Sequence, residues 1–362
     1  MPARAQPEPR ATRVQEGSRE RAQGWLRSSM LRPVTASEAT AASPPRSTPE
    51  ERRALVGRMA RFMVEWGAGD ATSVNALLEQ RIAGLSEGDY QGFLTRMRDT
   101  GSTWGYHPPD PFVRGLSRHV MSMVLTEGSG LENAAGLEVC RSERVILLAN
   151  HLSYVDVNVF DQLCAQHGHA DAVDRLATVV GPKVYTQPIR RLASLCFGTI
   201  NTAQSSSLAS EEAVMSPREV ARIVRTTLEI ARQRVEGGDH LMIFPEGSRS
   251  RTGGMERFLA AVARYLSIPG AYVLPWAHTG CERLVPLTED HVYPSPVRVR
   301  IGTPIALDRL IERCQDDRAR IMDTLGFAIA DLLPERYRGV YASPDALELH
   351  EARSIADELK AE

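Results

Sequence analysis

From about residue 131 the chain alternates short apolar runs with stretches of helical periodicity, and this alternation limits the fold more than any other feature of the sequence. Runs of four or five apolar residues are too short for helices and suit strands buried on both faces. Helices between them supply the crossovers that parallel pairing requires. The candidate strands are Val145–Ala149, Leu176–Val180, Leu241–Phe244, Tyr272–Pro275 and the alternating Val297-Arg298-Val299-Arg300-Ile301. The clearest helix opens at Ser216-Pro217-Arg218-Glu219, a capping box with a first-turn proline, and carries Val220, Ile223, Val224, Leu228, Ala231 and Val235 to a stop at Gly237-Gly238. The pattern predicts an α/β fold with a mixed, mostly parallel sheet flanked by helices.

A small N-terminal helical module is expected ahead of this sheet, over residues 48–130. Thr48-Pro49-Glu50-Glu51 has the residues of a helix start, and Leu55, Met59, Phe62 and Met63 then recur at helical spacing. Further helical patterns cover Val74 to Leu85, Ser86 to Met97 and, after Pro108-Pro109, Phe112 to Leu125. Residues 1–47 are rich in Arg, Ala, Ser, Pro and Glu with few apolar residues, so a disordered tail is expected there. The remaining residues, 131–362, form the expected α/β domain.

With 362 residues, 43% hydrophobic and 24% charged, the composition is that of an ordinary globular protein. No apolar stretch approaches the roughly 18 residues of a spanning helix, and the start lacks the apolar core of a secretory signal, so a soluble or peripheral protein is expected. A net charge of −2 excludes a global electrostatic attraction to nucleic acid. Cys140, Cys164, Cys196, Cys281 and Cys314 are widely spaced without a C-x-x-C, which suggests neither disulfides nor a zinc site and fits a reducing, cytoplasmic compartment. His167-Gly168-His169 reads as a helix-ending loop rather than a metal site, and Arg218, Arg222, Arg225 and Arg232 as a solvated helix face.

Two polar blocks follow apolar runs. Asn150-His151-Leu152-Ser153-Tyr154-Val155-Asp156 succeeds the first strand, and Phe244-Pro245-Glu246-Gly247-Ser248-Arg249-Ser250-Arg251 succeeds Leu241-Met242-Ile243. A histidine beside a carboxylate is what general-base activation of a hydroxyl needs, and arginines on a glycine-bearing turn suit an anion. Together they point to acyl transfer. Ser153-x-x-Asp156 has capping-box form, so the next helix is expected to start at Ser153, with His151 in the turn before it and Asp156 one turn inside. Backbone amides at that start are expected to serve an oxyanion, Arg249 and Arg251 to clamp an anion, and Glu246 to accept hydrogen bonds.

Asn150-His151-x-Ser153-x-x-Asp156 with Phe244-Pro245-Glu246-Gly247-Ser248-Arg249 resembles the first and third motifs of the glycerolipid acyltransferase family, and Val273-Leu274-Pro275-Trp276 is similar to its fourth. The resemblance spans about residues 131–305, which makes 131–362 an acyltransferase domain. It implies that His151 is the catalytic base, that Asp156 orients it, and that Glu246, Gly247, Ser248, Arg249 and Arg251 bind a glycerol-phosphate-type acceptor. The implied donor is an acyl thioester, acyl-CoA or acyl carrier protein, with no metal and no other cofactor. Acyl carrier protein and the cytoplasmic face of a membrane are the further partners expected; nucleic acid is not. The wide motif spacing and the leading helices are also similar to the soluble plastid-type glycerol-3-phosphate acyltransferases, whereas Phe244-Pro245-Glu246-Gly247 is closer to the lysophosphatidate branch. The family's second motif carries a basic residue where this chain has Gln204. Lys183, Arg190 or Arg191 then substitutes, or the acceptor is a hydroxyl without phosphate. A non-catalytic lipid-binding protein on the same scaffold is the alternative reading.

Overall fold

The computed structural model describes residues 46–203, 216–344 and 347–361. Nearly all of the expected tail, residues 1–45, and Gln204 lie outside them. The N-terminal segment runs through helices α1 (Pro49–Trp66), α2 (Ala71–Ala83) and α3 (Glu87–Asp99), strand β1 (Gly105–His107) and helix α4 (Pro111–Val124). Local chemistry explains the helix starts. Thr48, Asp70, Ser86 and Asp110 each cap one of these helices by accepting backbone N–H bonds, and Thr48 and Glu51 complete a capping box. Each cap contributes about 1 kcal/mol.

The remainder alternates as the apolar runs imply: β2 (Gly130–Glu132), β3 (Val145–Ala149), α5 (Asp156–Gln166), β4 (Leu176–Val180), the short α6 (Pro182–Tyr185) and α7 (Pro188–Ser194), β5 (Gly198–Asn201), α8 (Pro217–Glu236), β6 (His240–Ile243) and β7 (Tyr272–Thr279). It ends with α9 (Cys281–Leu284), β8 (Arg298–Ile301), β9 (Ile305–Ala306), α10 (Leu307–Arg313), α11 (Arg318–Ala330), α12 (Glu335–Arg338) and α13 (Leu347–Ala361). The strands form one sheet in the order β1-β5-β4-β6-β3-β7-β8-β2, with β9 also paired to β7. Pairing is parallel from β5 through β7 and between β8 and β2, and antiparallel for β1 with β5 and for β7 with β8 and β9. The sheet is mixed and mostly parallel. Among the described residues no helix is long and apolar enough to cross a membrane.

Three details differ from the sequence pattern. Strand β7 does not stop at Pro275 but continues to Thr279. The proline falls where β7 changes edge partner, from β9 at Tyr272 and Val273 to β8 at Trp276 onward, and its carbonyl accepts from Gly302 N at 2.8 Å. A missing N–H is tolerated at such a break. Strands β1, β2, β5 and β9 are short and poor in contiguous apolar residues, so periodicity alone does not mark them. The helix after β3 begins at Asp156, and Ser153 does not cap it.

The helical segment and the sheet share a continuous core. Strand β1 pairs with β5, and α4 packs on α5. Helix α5 is seated on the sheet by Phe160, which stacks on Trp276 with ring centroids 4.3 Å apart. It is joined to α4 by Asp161, buried between Arg114 at 2.5 Å and Arg118 at 2.8 Å. Replacing Asp161 with alanine should lower unfolding stability by about 2–4 kcal/mol, because it leaves two part-buried guanidiniums without their shared acceptor. Urea unfolding measures this. A loss below about 0.5 kcal/mol would mean that the α4–α5 junction does not rest on this carboxylate.

Candidate active site

Strands β3 and β6 are neighbours, parallel, with Leu148 beside Ile243. Three residues further on, the same register brings His151 next to Glu246 at the carboxyl edge of the sheet, where open α/β sheets bind ligands. Two polar blocks far apart in the chain therefore meet because two buried strands pair in register. The His151 ring stacks on Phe244 with centroids 4.0 Å apart and an interplanar angle of 14°.

The turn after β3 is organised around one carboxylate oxygen. Oδ2 of Asp156 lies 2.8 Å from Nδ1 of His151 and accepts from the backbone N–H groups of Leu152 at 2.8 Å and Ser153 at 2.9 Å. Asp156 is the first residue of α5, where the helix dipole favours a negative charge. This arrangement replaces the expected capping box. Ser153 instead donates its hydroxyl to Val285 O at 3.3 Å. The amides of Leu152 and Ser153, expected to serve an oxyanion, are committed to Asp156.

His151 Nδ1 faces the carboxylate, so Nε2 is the nitrogen left for a substrate proton; the side chain is 15% exposed. Burial lowers the imidazole pKa below its ordinary value, and the hydrogen bond and charge of Asp156 oppose the shift without reversing it. Asp156 is wholly buried, which alone would raise its carboxyl pKa, but the charge of the nearby His278 and the hydrogen bond and charge of His151 hold it well below the usual range. An ionised carboxylate and a neutral imidazole result, the pairing needed for a general base.

The second block holds the first in place. Glu246 Oε1 accepts from His151 N at 2.8 Å, Oε2 accepts from Glu256 N at 2.8 Å, and Ser250 N donates to His151 O at 2.8 Å. Gly247 turns at φ +72, and a Cβ there would meet Leu259 Cδ1 at 2.6 Å. Ser250 Oγ donates to Gly254 O and accepts from Gly253 N, closing the loop. Ser248 and Arg251 are exposed.

Arg249 is partly buried, whereas Arg251 is exposed. The Arg249 guanidinium lies 3.6 Å from the Tyr154 ring centroid, and that of Arg190, from α7, lies 4.0 Å from the same ring. Arg249 Nη1 and Arg190 Nε are buried without a hydrogen-bond partner among the described residues. Burial lowers the pKa of Arg249, and the neighbouring Arg190 charge adds to the shift. Lys183 is exposed, its carbonyl accepting from Arg190 at 3.3 Å. Arg191 is structural, its buried guanidinium bonded to Tyr185 O and Met97 O. Of the arginines on α8, Arg232 pairs with Glu229 and Glu236.

An open apolar pocket lies between the N-terminal helices and the sheet domain, lined by Phe62, Met63, Trp66, Met121, Val155 and Ile189 among others. Val155 immediately precedes Asp156, and Ile189 immediately precedes Arg190. Sequence reasoning missed the pocket, the role of Tyr154 and His278 on β7. A histidine two residues after Trp276 in an otherwise apolar strand was the available signal.

A protein-family model described as Acyltransferase matches residues 131–279. No curated protein matches the chain. Among solved structures it is similar to the 1-acyl-sn-glycerophosphate (LPA) acyltransferase PlsC of Thermotoga maritima, at 14% sequence identity and a TM-score of 0.43, over 79% of this chain and 98% of that one.

Glu246 sits in a conflict that can be measured. Burial pushes its carboxyl from 4.5 up to about 7, although two backbone N–H groups favour the charged form. A raised acid pKa means that its contribution to stability is full below about pH 4.5 and is lost as pH rises through about 7. Glu246→Gln leaves one of the two N–H groups facing an amide NH₂ and should destabilise the protein by about 1–3 kcal/mol. The gap in stability between wild type and variant should narrow from pH 4.5 to 7, as followed by denaturant unfolding. A gap that widens over this range would contradict the assignment.

Proposed function

We propose that this chain, whose residues 131–279 match a family model described as Acyltransferase, moves a fatty acyl group from a thioester, acyl-CoA or acyl carrier protein, to a hydroxyl of glycerol-3-phosphate or 1-acylglycerol-3-phosphate. The observation that carries this reading is the His151–Asp156 contact of 2.8 Å at the carboxyl edge of the sheet. Nε2 of His151 takes the proton of the acceptor hydroxyl while its oxygen attacks the thioester carbonyl. The C–S bond then breaks, and the leaving thiolate takes the proton back from the imidazolium. Asp156 keeps the Nδ1 proton in place and stabilises the imidazolium as it forms.

Arg249 and Arg190 are the phosphate ligands in this reading. They flank Tyr154 beside the base and retain unspent donors, and a phosphate supplies the acceptors that two guanidiniums need. Arg190 thus takes the part for which the second motif would otherwise supply a basic residue. The apolar pocket beside Val155 and Ile189 seats an acyl chain, each buried methylene contributing about 0.8 kcal/mol.

His151→Ala should reduce transfer by at least about 100-fold with folding intact, measured with labelled thioester and purified acceptors. The wild-type kcat/KM should fall on acidification with a midpoint below the ordinary histidine value of 6.5, since burial favours the neutral ring. Turnover near the wild-type level in a folded His151→Ala protein would end this reading.

Loss of Arg190 or Arg249 should lower kcat/KM for a phosphate acceptor by about 10-fold or more, the effect of removing a charge-assisted contact, while thioester binding changes much less. Arg251→Ala should do less than either. If Arg251→Ala were the most damaging of the three, the phosphate site would lie on the other side of the loop.

A further inference from the structure

Two imidazoles flank Asp156. On the side away from His151, Nε2 of His278 stands 3.1 Å from Oδ1, and both side chains are fully buried. The approach is off the line of a hydrogen bond, so that Oδ1 and Nε2 each lack a hydrogen-bond partner among the described residues. Oδ2 already has three donors. A buried carboxylate oxygen without a donor is costly, and Nε2 of His278 is close enough to supply one, while Nδ1 of the same ring also lacks a hydrogen-bond partner among the described residues.

The backbone of His278 is held for this purpose. Asn150, the residue before His151, donates from Nδ2 to His278 O at 3.0 Å and accepts from His278 N at 3.0 Å. The His278 backbone is thereby tied to the residue that precedes His151. Trp276, tilted against the His278 ring at 5.1 Å, closes one side. Cys281 closes another, its Sγ within 4.8 Å of a ring nitrogen of His278 and of a carboxylate oxygen of Asp156.

We infer that His278 is a positioning residue: with its proton on Nε2 it donates to Oδ1 of Asp156 and keeps that carboxylate turned so that Oδ2 remains on Nδ1 of His151. The inference rests on the acyl-transfer reading, in which His151 is the base. A donor on Oδ1 draws negative charge from Oδ2, so His151 binds its proton less tightly than it would beside an unshared carboxylate. Arg249 acts on His151 in the same direction. Glu246 and Cys281 are the other titratable groups close to Asp156.

Histidine ¹⁵N spectra of the wild-type protein test the first half, because the His278 signals should place a proton on Nε2. A ring protonated on Nδ1 alone overturns the proposal. The second half compares His278→Phe, which keeps an aromatic ring and removes the donor, with His278→Gln, whose amide can still donate to Oδ1. In His278→Phe, kcat should fall about 10-fold or more with acceptor KM little changed. The NMR titration of His151 and the acid limb of kcat/KM should both move up by about one pH unit. His278→Gln should recover most of both. Equal losses in the two variants, or an unmoved His151 titration in His278→Phe, would make His278 a packing residue only. If the wild type transfers acyl groups to no acceptor, the functional reading fails, while the tautomer and the His151 titration still decide what His278 does. If His278→Phe does not fold, the wild-type spectra and His278→Gln decide it.

Discussion

A carboxylate sealed from solvent at the start of a helix has to be surrounded by donors, and the geometry of this site follows from meeting that demand at Asp156. Three donors converge on Oδ2, two of them backbone amides of the turn and one the ring of His151. The turn is shaped by the anion, and the imidazole is oriented as part of the same arrangement. The amides of Leu152 and Ser153 point at Asp156 and are therefore unavailable to another oxygen. Breaking the carboxylate would leave several buried donors without an acceptor, a larger cost than the loss of a single contact.

The second constraint is parallel pairing. Because β6 inserts between β4 and β3, the loop carrying Glu246 and Arg249 emerges beside the loop carrying His151 rather than elsewhere on the edge. Glu246 fastens His151 by its backbone N–H, and Ser250 fastens the same residue by its carbonyl. Arg249 then reaches Tyr154 from the second block while Arg190 reaches it from α7. Two like charges held close together in a part-buried position repel, and a bound anion removes that repulsion. In the proposed reading this pair receives the acceptor's phosphate, with Arg190 also paired to Asp290 at 3.0 Å.

Much of this was legible in the sequence. The continuous apolar run at Val145–Ala149 reads as a buried strand, and all of it lies in the core. The helix from Pro217 to Glu236 begins and ends where its capping box and glycines indicate. Proximity of His151 to Asp156 was legible too, although the capping box offered as its cause was wrong. Ser153 and Asp156 have the residue types of a helix start. The demand of a buried carboxylate for amides outweighed the preference of serine for the cap, and the helix began three residues later.

The sequence by itself determined the strands with long apolar runs, the capped helices and the two polar blocks, because periodicity and capping act over a few residues and need no distant partner. Only the tertiary structure decided which side chains those blocks meet. Arg190 rather than Arg251 shares Tyr154 with Arg249, and His278 lies behind Asp156, because strand order and helix packing bring together residues that no local pattern relates. The short edge strands belong to the same class. Gly105–His107 is a strand because β5 offers it unpaired backbone groups, not because three residues prefer that conformation.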